Sequence, residues 1–275
     1  MAQPGTVDYE AIRSFEHAGW EQAADTYAAS FATATRQFIP ALLDAAGVAS
    51  GMRVLDIACG PGFVTAAAAQ RGAVARGLDF SAAMLRVARE RHAGITFDQG
   101  DAEALPYDAD GFDAVISNFG IHHVPRPVMA LREAHRVLRP GAALAFTIWA
   151  APEENTAWKL VFDAVRRHGD MTASRAPAPG GGFRAPDDCR AALEEAGFGR
   201  IVGRRLTGLW RHADGNSLLM ALRSGTARMA ALINAQAPAV LPAIAAEIDA
   251  QAAAFRDGAG LAIPITAFVA AGRRD

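Results

Sequence analysis

The sequence predicts an α/β protein: a doubly wound parallel sheet carrying a helical cap. Three observations lead there. Short apolar runs alternate with helical patterns between residues 54 and 149, and strands separated by helices at that rhythm build parallel sheets. The run Val54-Leu55-Asp56-Ile57-Ala58 passes directly into Cys59-Gly60-Pro61-Gly62-Phe63, a strand covered on both faces entering a tight glycine loop. Two alanine-rich helical stretches, 8–47 and 214–257, lie outside that alternation.

The elements follow in order. In residues 8–47, Phe15, Trp20, Ala24, Tyr27, Phe31, Thr35 and Phe38 recur mostly at three- and four-residue steps, one apolar face rich in aromatics. Pro40 is expected to divide this stretch into two helices, and Gly47 and Gly51 to close it. Residues 54–58 form the first strand, 64–70 a helix and 73–79 the second strand. Ser81 caps a helix over 82–92, with Met84, Leu85 and Ala88 inward. A third strand covers 95–99, a fourth 112–118, then a helix 128–138 and a fifth strand 142–149. A helix over 155–168 leads to a loop at 173–182 with two prolines and a glycine triplet, read as mobile. A helix over 185–196 is stopped by Gly197, and a sixth strand covers 201–210. Residues 214–257 hold two or three helices, partly split by Pro238 and Pro242. A last strand covers 261–270 and tolerates Pro264 near an edge or at its start.

This organisation gives a helical cap segment at 1–50, a ligand-binding core at 51–150, and at 151–275 the C-terminal part of the same domain, with a cap insertion at 214–257. The insertion covers the ligand cleft in the first reading and forms a dimer surface in the second.

The 275 residues, 51% hydrophobic and 20% charged, suffice for one sizeable core. With 27 basic and 29 acidic residues the formal net charge is −2, which gives no electrostatic case for nucleic acid or a membrane surface. Cys59 and Cys189 provide neither a disulfide framework nor metal-ligand spacing, so no metal is expected. No secretory pattern is visible, and the longest apolar stretch, 142–151, is far short of the ~20 residues of a membrane span. A cytoplasmic protein with a small-molecule partner is expected, with a homodimer left open.

The chemistry-bearing residues fall at strand ends. Asp56 stands near the C-terminal end of the first strand, where open α/β sheets bind ligands. Gly60 and Gly62 allow positive φ and close backbone approach, and the helix behind them offers unpaired N–H groups. The dinucleotide fingerprint wants a third glycine where Thr65 stands, and no Gly-Lys-Ser/Thr run exists. An acid, a short glycine turn and no phosphate holder suit a nucleoside carrying an ammonium group, such as S-adenosylmethionine (SAM). The second strand ends in Gly77-Leu78-Asp79-Phe80-Ser81; an acid about 20 residues past the loop bonds ribose hydroxyls, and Phe80 or Met84 is placed to lie against adenine. After the third strand, Asp101 can accept from an adenine amino group and the Ala102 N–H can face a ring nitrogen. After the fourth, the backbone of Ser117-Asn118-Phe119-Gly120 would line the methionine part. Blander roles exist: Asp79 beginning a turn, Asp101 capping a short helix.

With these residues in view, the chain resembles a class I SAM-dependent methyltransferase, near the small-molecule branch that includes ubiquinone and menaquinone methyltransferases. The resemblance rests on Val54 to Gly62, Gly77-Leu78-Asp79, Gly100-Asp101-Ala102-Glu103-Ala104-Leu105-Pro106, Phe112-Asp113-Ala114-Val115 and Val137-Leu138-Arg139-Pro140-Gly141. It implies a Rossmann-like, seven-stranded, mostly parallel sheet with an antiparallel last strand and a variable cap. It implies SAM as cofactor, held by Asp56, Ala58, Cys59, Gly60, Pro61, Gly62, Asp79, Phe80, Met84, Asp101, Ala102 and Asn118, with Asp79 on the ribose and Asp101 and Ala102 on adenine. Ala58 stands where many relatives have glycine, which asks more of the loop.

Some acceptors are disfavoured. Enzymes that methylate exocyclic amino groups carry an Asn/Asp-Pro-Pro-aromatic run after strand four, where this chain reads Asn118-Phe119-Gly120. Cytosine C5 enzymes need a nucleophilic cysteine, and neither Cys59 nor Cys189 suits that. Methyl transfer is an in-line displacement in which positioning does most of the work. A general base helps only where the acceptor must lose a proton. His122 and His123, just past strand four, and His212, after strand six, are the candidates, either as base or as site lining. Tyr27 is the candidate for positioning the acceptor. Arg126 stands where relatives commonly have an acid. The expected function is transfer of a methyl group to oxygen, nitrogen or carbon of a small, largely apolar metabolite. The alternatives are a SAM-binding regulatory or scaffold protein without transfer, and a SAM-using enzyme with a different reaction.

Overall fold

The computed structural model describes residues 7–177, 183 and 185–275. The Asp8 carboxylate accepts from the Ala11 N–H at 3.0 Å and so caps α1 (Tyr9–Tyr27). The helical region breaks at 28–31, not at Pro40. There the Ser30 hydroxyl donates to the Thr26 carbonyl and that of Thr33 to the Ser30 carbonyl, and such side-chain bonds compete with helix continuation. A short α2 (Ala32–Thr35) and a 3-10 turn (Arg36–Phe38) lead into α3 (Ile39–Ala45). Pro40 lies in the first turn of α3, where a missing N–H leaves no intrahelical bond unmade.

The core then alternates as expected: β1 (Arg53–Ile57), α4 (Phe63–Gln70), β2 (Val74–Asp79), α5 (Ala82–Arg91), β3 (Thr96–Gln99), β4 (Phe112–Asn118), a 3-10 turn (Ile121–His123), α6 (Pro127–Val137) and β5 (Leu138–Trp149). Ser81 caps α5, its hydroxyl accepting from the Met84 N–H at 3.1 Å. β5 starts earlier than expected because Leu138 already pairs with Phe112. Beyond it come α7 (Thr156–His168), α8 (Pro186–Glu195), β6 (Phe198–His212), α9 (Gly215–Gly225), α10 (Arg228–Asn234), α11 (Leu241–Gln251), β7 (Arg256–Asp257) and β8 (Gly260–Arg274). The loop expected at 173–182 carries no helix or strand as far as Pro177; its remainder lies outside the described residues.

The sheet runs β3-β2-β1-β4-β5-β8-β6. It is parallel from β3 to β5, and β8 is antiparallel to both β5 and β6. The expected antiparallel last strand is present, but among the described residues there are eight strands instead of seven. The extra one is the two-residue β7, folded back onto the start of β8. Nor is β8 an edge. Pro264 is accommodated because β5 pairs with β8 only from Ala267 onward, so one side of β8 faces no strand at Pro264. Strand order reverses between β2-β1 and β1-β4, which makes the C-terminal end of β1 a switch point.

Alternation along the strands sorts the core into layers. Leu55, Ile57, Val115, Leu144 and Phe146 face α6 and α8. Val54, Ala114, Ile116 and Ala145 face α3 and α4. A third cluster gathers Phe31, Phe38, α7, α9, α10, α11, Trp210 and the first half of β8. The insertion at 214–257 therefore shares a core with α7 and the N-terminal segment, over the protruding β6–β8 ribbon. Among the described residues no single helix is long and apolar enough to cross a membrane.

Candidate functional site

A crevice of about 910 Å³, mouth included, opens at the C-terminal ends of β1, β2 and β4. Its floor is the loop after β1, where Ala58, Gly60 and Gly62 take φ of +53°, +52° and +78°. Ala58 holds with a Cβ a conformation that favours glycine. A Cβ on Gly62 would come 2.7 Å from the Phe97 ring, and one on Gly120 would come 2.5 Å from the Ala58 Cβ. A Cβ on Gly60 would meet only the Met84 sulfur, at 3.9 Å, so that backbone lies open to the crevice. Phe119, at φ +58°, stacks on Trp149 at 3.9 Å. Left-handed backbone at a bulky residue is strain of the kind that gathers at ligand sites.

Asp79 lines the crevice and is 5% exposed. Its Oδ2 accepts from the Gly60 N–H at 2.8 Å and its Oδ1 from the Ser81 N–H at 2.9 Å. Burial pushes the carboxyl up to about 6, against backbone donors at Ser81, Gly60 and Phe80. A carboxylate has about four lone-pair sites, so acceptor capacity remains for ligand hydroxyls. Asp56 behaves differently: it does not line the crevice. Its Oδ2 accepts from the Thr65 hydroxyl at 2.6 Å, and burial pushes it up to about 7. Thr65, the residue in place of a third glycine, thus draws the expected ligand acid inward beneath the loop. Gly62 also sits behind the lining, shaping the turn.

Cys59, Pro61, Phe80, Met84, Asp101, Ala102 and Asn118 all line the crevice. The Asn118 side chain is occupied: its Nδ2 donates to the Thr35 carbonyl at 3.2 Å and its Oδ1 accepts from Thr147 Oγ1 at 2.7 Å. Asp101 Oδ1 accepts from the Glu103 N–H at 2.9 Å, while Oδ2 is bonded by Arg13. Arg13 also reaches the buried Glu103 at 3.1 Å, and Arg126, itself exposed, donates to the same carboxylate at 2.7 Å. The end expected to take adenine is therefore roofed by α1. Further along, Glu21 accepts from Ser81 Oγ at 2.7 Å and from the Ala83 N–H at 3.2 Å.

The candidate catalytic groups separate. His123 lines the crevice; His122, beside it with ring centroids 4.2 Å apart, does not. Burial holds the His122 imidazole well below its ordinary value. His212 is not brought to the site at all. Its ring packs on Trp210 at 4.4 Å beyond the far end of the β6–β8 ribbon, and burial pushes it down to about 4. Tyr27 lines the crevice, with its hydroxyl 3.0 Å from Thr35 Oγ1, and burial pushes it up to about 12. No residue of 214–257 lines the crevice, because that insertion fills its own core. Sequence reasoning missed Arg13, Glu16, Arg36 and Ile39. Arg13, Glu16 and Trp20 repeat at three- and four-residue steps, so the signal lay in charged residues sharing the aromatic face of α1.

The donor set fits SAM: an ionisable acid with acceptor capacity left for ribose, an open left-handed backbone cradle, apolar faces at Phe80 and Met84, and a second acid, Asp101. Fold and crevice together resemble those of class I SAM-dependent methyltransferases with a Rossmann-like core. The comparisons point the same way. Residues 55–146 match the family model described as a methyltransferase domain. The demethylmenaquinone methyltransferase of Renibacterium salmoninarum is 41% identical over 118 residues, 43% of this chain and 50% of that one. The malonyl-[acyl-carrier protein] O-methyltransferase of Enterobacter lignolyticus is 40% identical over 112 residues, 40% of this chain and 45% of that one. The chain spans about half the length of these curated relatives. A crystal structure from Thermotoga maritima, described as a SAM-dependent methyltransferase and possible histamine N-methyltransferase, superposes with a TM-score of 0.57 at 17% identity, covering 94% of this chain and all of that one, which speaks for the fold alone.

Proposed function

We propose that this chain transfers a methyl group from SAM to a small, largely apolar acceptor. The observation that carries the reading is the mixed lining of the crevice: Asp79, Asp101 and the cradle of Ala58 to Pro61 stand with the apolar Trp20, Tyr27, Ile39 and Val124. Bound against the acids and the cradle, SAM supplies an electrophilic methyl on sulfonium. On this reading Asp79 holds the ribose, Phe80 and Met84 flank the adenine, and the backbone of Asn118 to Gly120 orients the methionine part. Helix α1 excludes water from the reacting centre, and Tyr27 presents its ring to the acceptor. Residues 1–50 then act as the cap, while 214–257 support it from behind through α9, which packs on α1. The isolated, buried Cys59 and Cys189 favour a reducing cytoplasm as the setting. Incubation with methyl-labelled SAM and fractionated small-molecule extract tests the reading. Label in an apolar, low-mass product supports it; label only in protein or nucleic acid, or in nothing, overturns it.

A further inference from the structure

We propose that Glu16 and His123 form a positioned pair in which His123 takes the proton of an acidic hydroxyl of the acceptor, phenolic or enolic, so that the atom methylated is oxygen. This deepens the methyltransferase reading and rests on it.

The Glu16 carboxylate belongs to α1 and is wholly buried, at 0% exposure. A buried carboxylate is costly unless paired and hydrogen-bonded. Glu16 Oε2 accepts from Trp20 Nε1 at 3.1 Å and lies 3.0 Å from His123 Nδ1. Its Oε1 lies 2.6 Å from Arg228 Nε on α10. Arg228 in turn donates to the Pro177 carbonyl at 2.8 Å. Against the cost of burial, His123 and Arg228 hold the Glu16 carboxyl below its ordinary value. The charge of Arg228 is enough to balance the carboxylate, so the bond to His123 has another consequence. A carboxylate only accepts, so Nδ1 must carry the proton. In the neutral ring Nε2 is then a free acceptor. No described group bonds Nε2, and the ring lines the crevice at 20% side-chain exposure.

Around the His123 ring, burial holds the His122 imidazole well below its ordinary value, and Trp20 meets His123 edge-on at 4.9 Å. From the neighbouring elements the facing charges are Glu16 of α1 and, behind it, Arg228 of α10; Arg13, Arg36, Asp79 and Asp101 stand elsewhere around the crevice. A positioned base is useful only when the nucleophile must shed a proton. In the step, the acceptor oxygen bonds to the methyl carbon as the methyl–sulfur bond breaks, its electron pair remaining on sulfur. The hydroxyl proton passes to His123 Nε2, leaving an imidazolium against Glu16. His123 is thus a catalytic residue and Glu16 a positioning residue.

The test begins with the wild-type protein and needs no acceptor. With S-adenosylhomocysteine bound and histidines labelled with ¹⁵N, long-range ¹H–¹⁵N spectra at neutral pH should show His123 as the Nδ1–H tautomer, assigned by loss of its signals in His123→Gln. In Glu16→Gln the preference for the Nδ1–H tautomer should weaken; Glu16→Asp should restore it in part. An Nε2–H tautomer in the wild type, or a tautomer balance indifferent to Glu16→Gln in a folded variant, overturns the pair. Catechol, 4-nitrophenol and aniline are then offered with SAM. Methylation of a phenol that falls at least about 100-fold in His123→Gln, with S-adenosylhomocysteine affinity within threefold, supports the assignment. Methylation of aniline alone, of none of the three, or undiminished in His123→Gln overturns it. Failure to bind S-adenosylhomocysteine would instead remove the reading beneath it.

Discussion

Replacing Asp79 with alanine should separate two effects that the structure places on one side chain. The carboxylate accepts from Gly60 and Ser81 N–H, and alanine leaves both donors unsatisfied under a buried loop. Each such donor costs about 1–3 kcal/mol. Against this, the raised value of about 6, compared with an ordinary aspartate near 3.9, means that the ionised group is itself strained by roughly 3 kcal/mol at neutral pH, and alanine relieves that. The net change in stability should be small, between a gain of about 1 and a loss of about 3 kcal/mol, so the variant should fold. Binding should suffer more. Two ribose hydroxyls lose a charged acceptor at about 1–1.5 kcal/mol each, a total of about 2–3 kcal/mol, or roughly 30- to 150-fold in Kd. Calorimetric titration with S-adenosylhomocysteine reads the affinity and thermal denaturation the stability. A folded Asp79→Ala protein that binds within threefold of wild type would refute the assignment of the ribose to Asp79.

Ala58→Gly should raise stability by about 1 kcal/mol, because a φ of +53° strains any residue with a Cβ; denaturant titration checks the sign. Gly120→Ala should abolish S-adenosylhomocysteine binding in a folded protein, since the new Cβ meets Ala58 Cβ at 2.5 Å and must push the loop into the crevice. Arg13→Ala should cost little stability, within about 1 kcal/mol for a partly exposed pair, because Glu103 keeps Arg126; hydrogen exchange over α1 should nevertheless rise. S-adenosylhomocysteine affinity should climb from pH 5 to pH 7 and then level, since Asp79 needs its charge to accept and titrates near 6. The ligand-free protein should run the other way. Asp79 and Asp56, at about 6 and about 7, bind more protons folded than unfolded, so stability should fall as pH rises from about 4 to about 7.

The core was legible because period and position coincide there. From Val54 to Trp149 apolar runs alternate with helical patterns, Ser81 marks a helix start, and β2, β3 and β4 end in Asp79, Gln99 and Asn118. The same logic placed Asp79 and Asp101 in one crevice. It failed for Asp56, whose partner Thr65 lies nine residues on and shows itself only when the loop closes. β6 was underestimated because it is an edge strand exposed on much of its length, with Arg204 and Arg205 where a buried strand would carry valine. His212 was misplaced because the ribbon of β6 and β8 carries it away from the sheet's active end. The Glu16–Arg228 and Glu16–His123 contacts join residues more than a hundred positions apart, and no local pattern announces such a meeting.

The central claim, a SAM site at the ends of β1, β2 and β4 roofed by α1, is tested most directly by hydrogen exchange of the whole chain with and without S-adenosylhomocysteine at pH 7.5. The account predicts saturable protection confined to the loop 58–63, to residues 79–84 and 100–102, to 118–120 and to α1, with 214–257 unchanged. Protection absent from 58–63 and 79–84, or centred on 214–257, would contradict it.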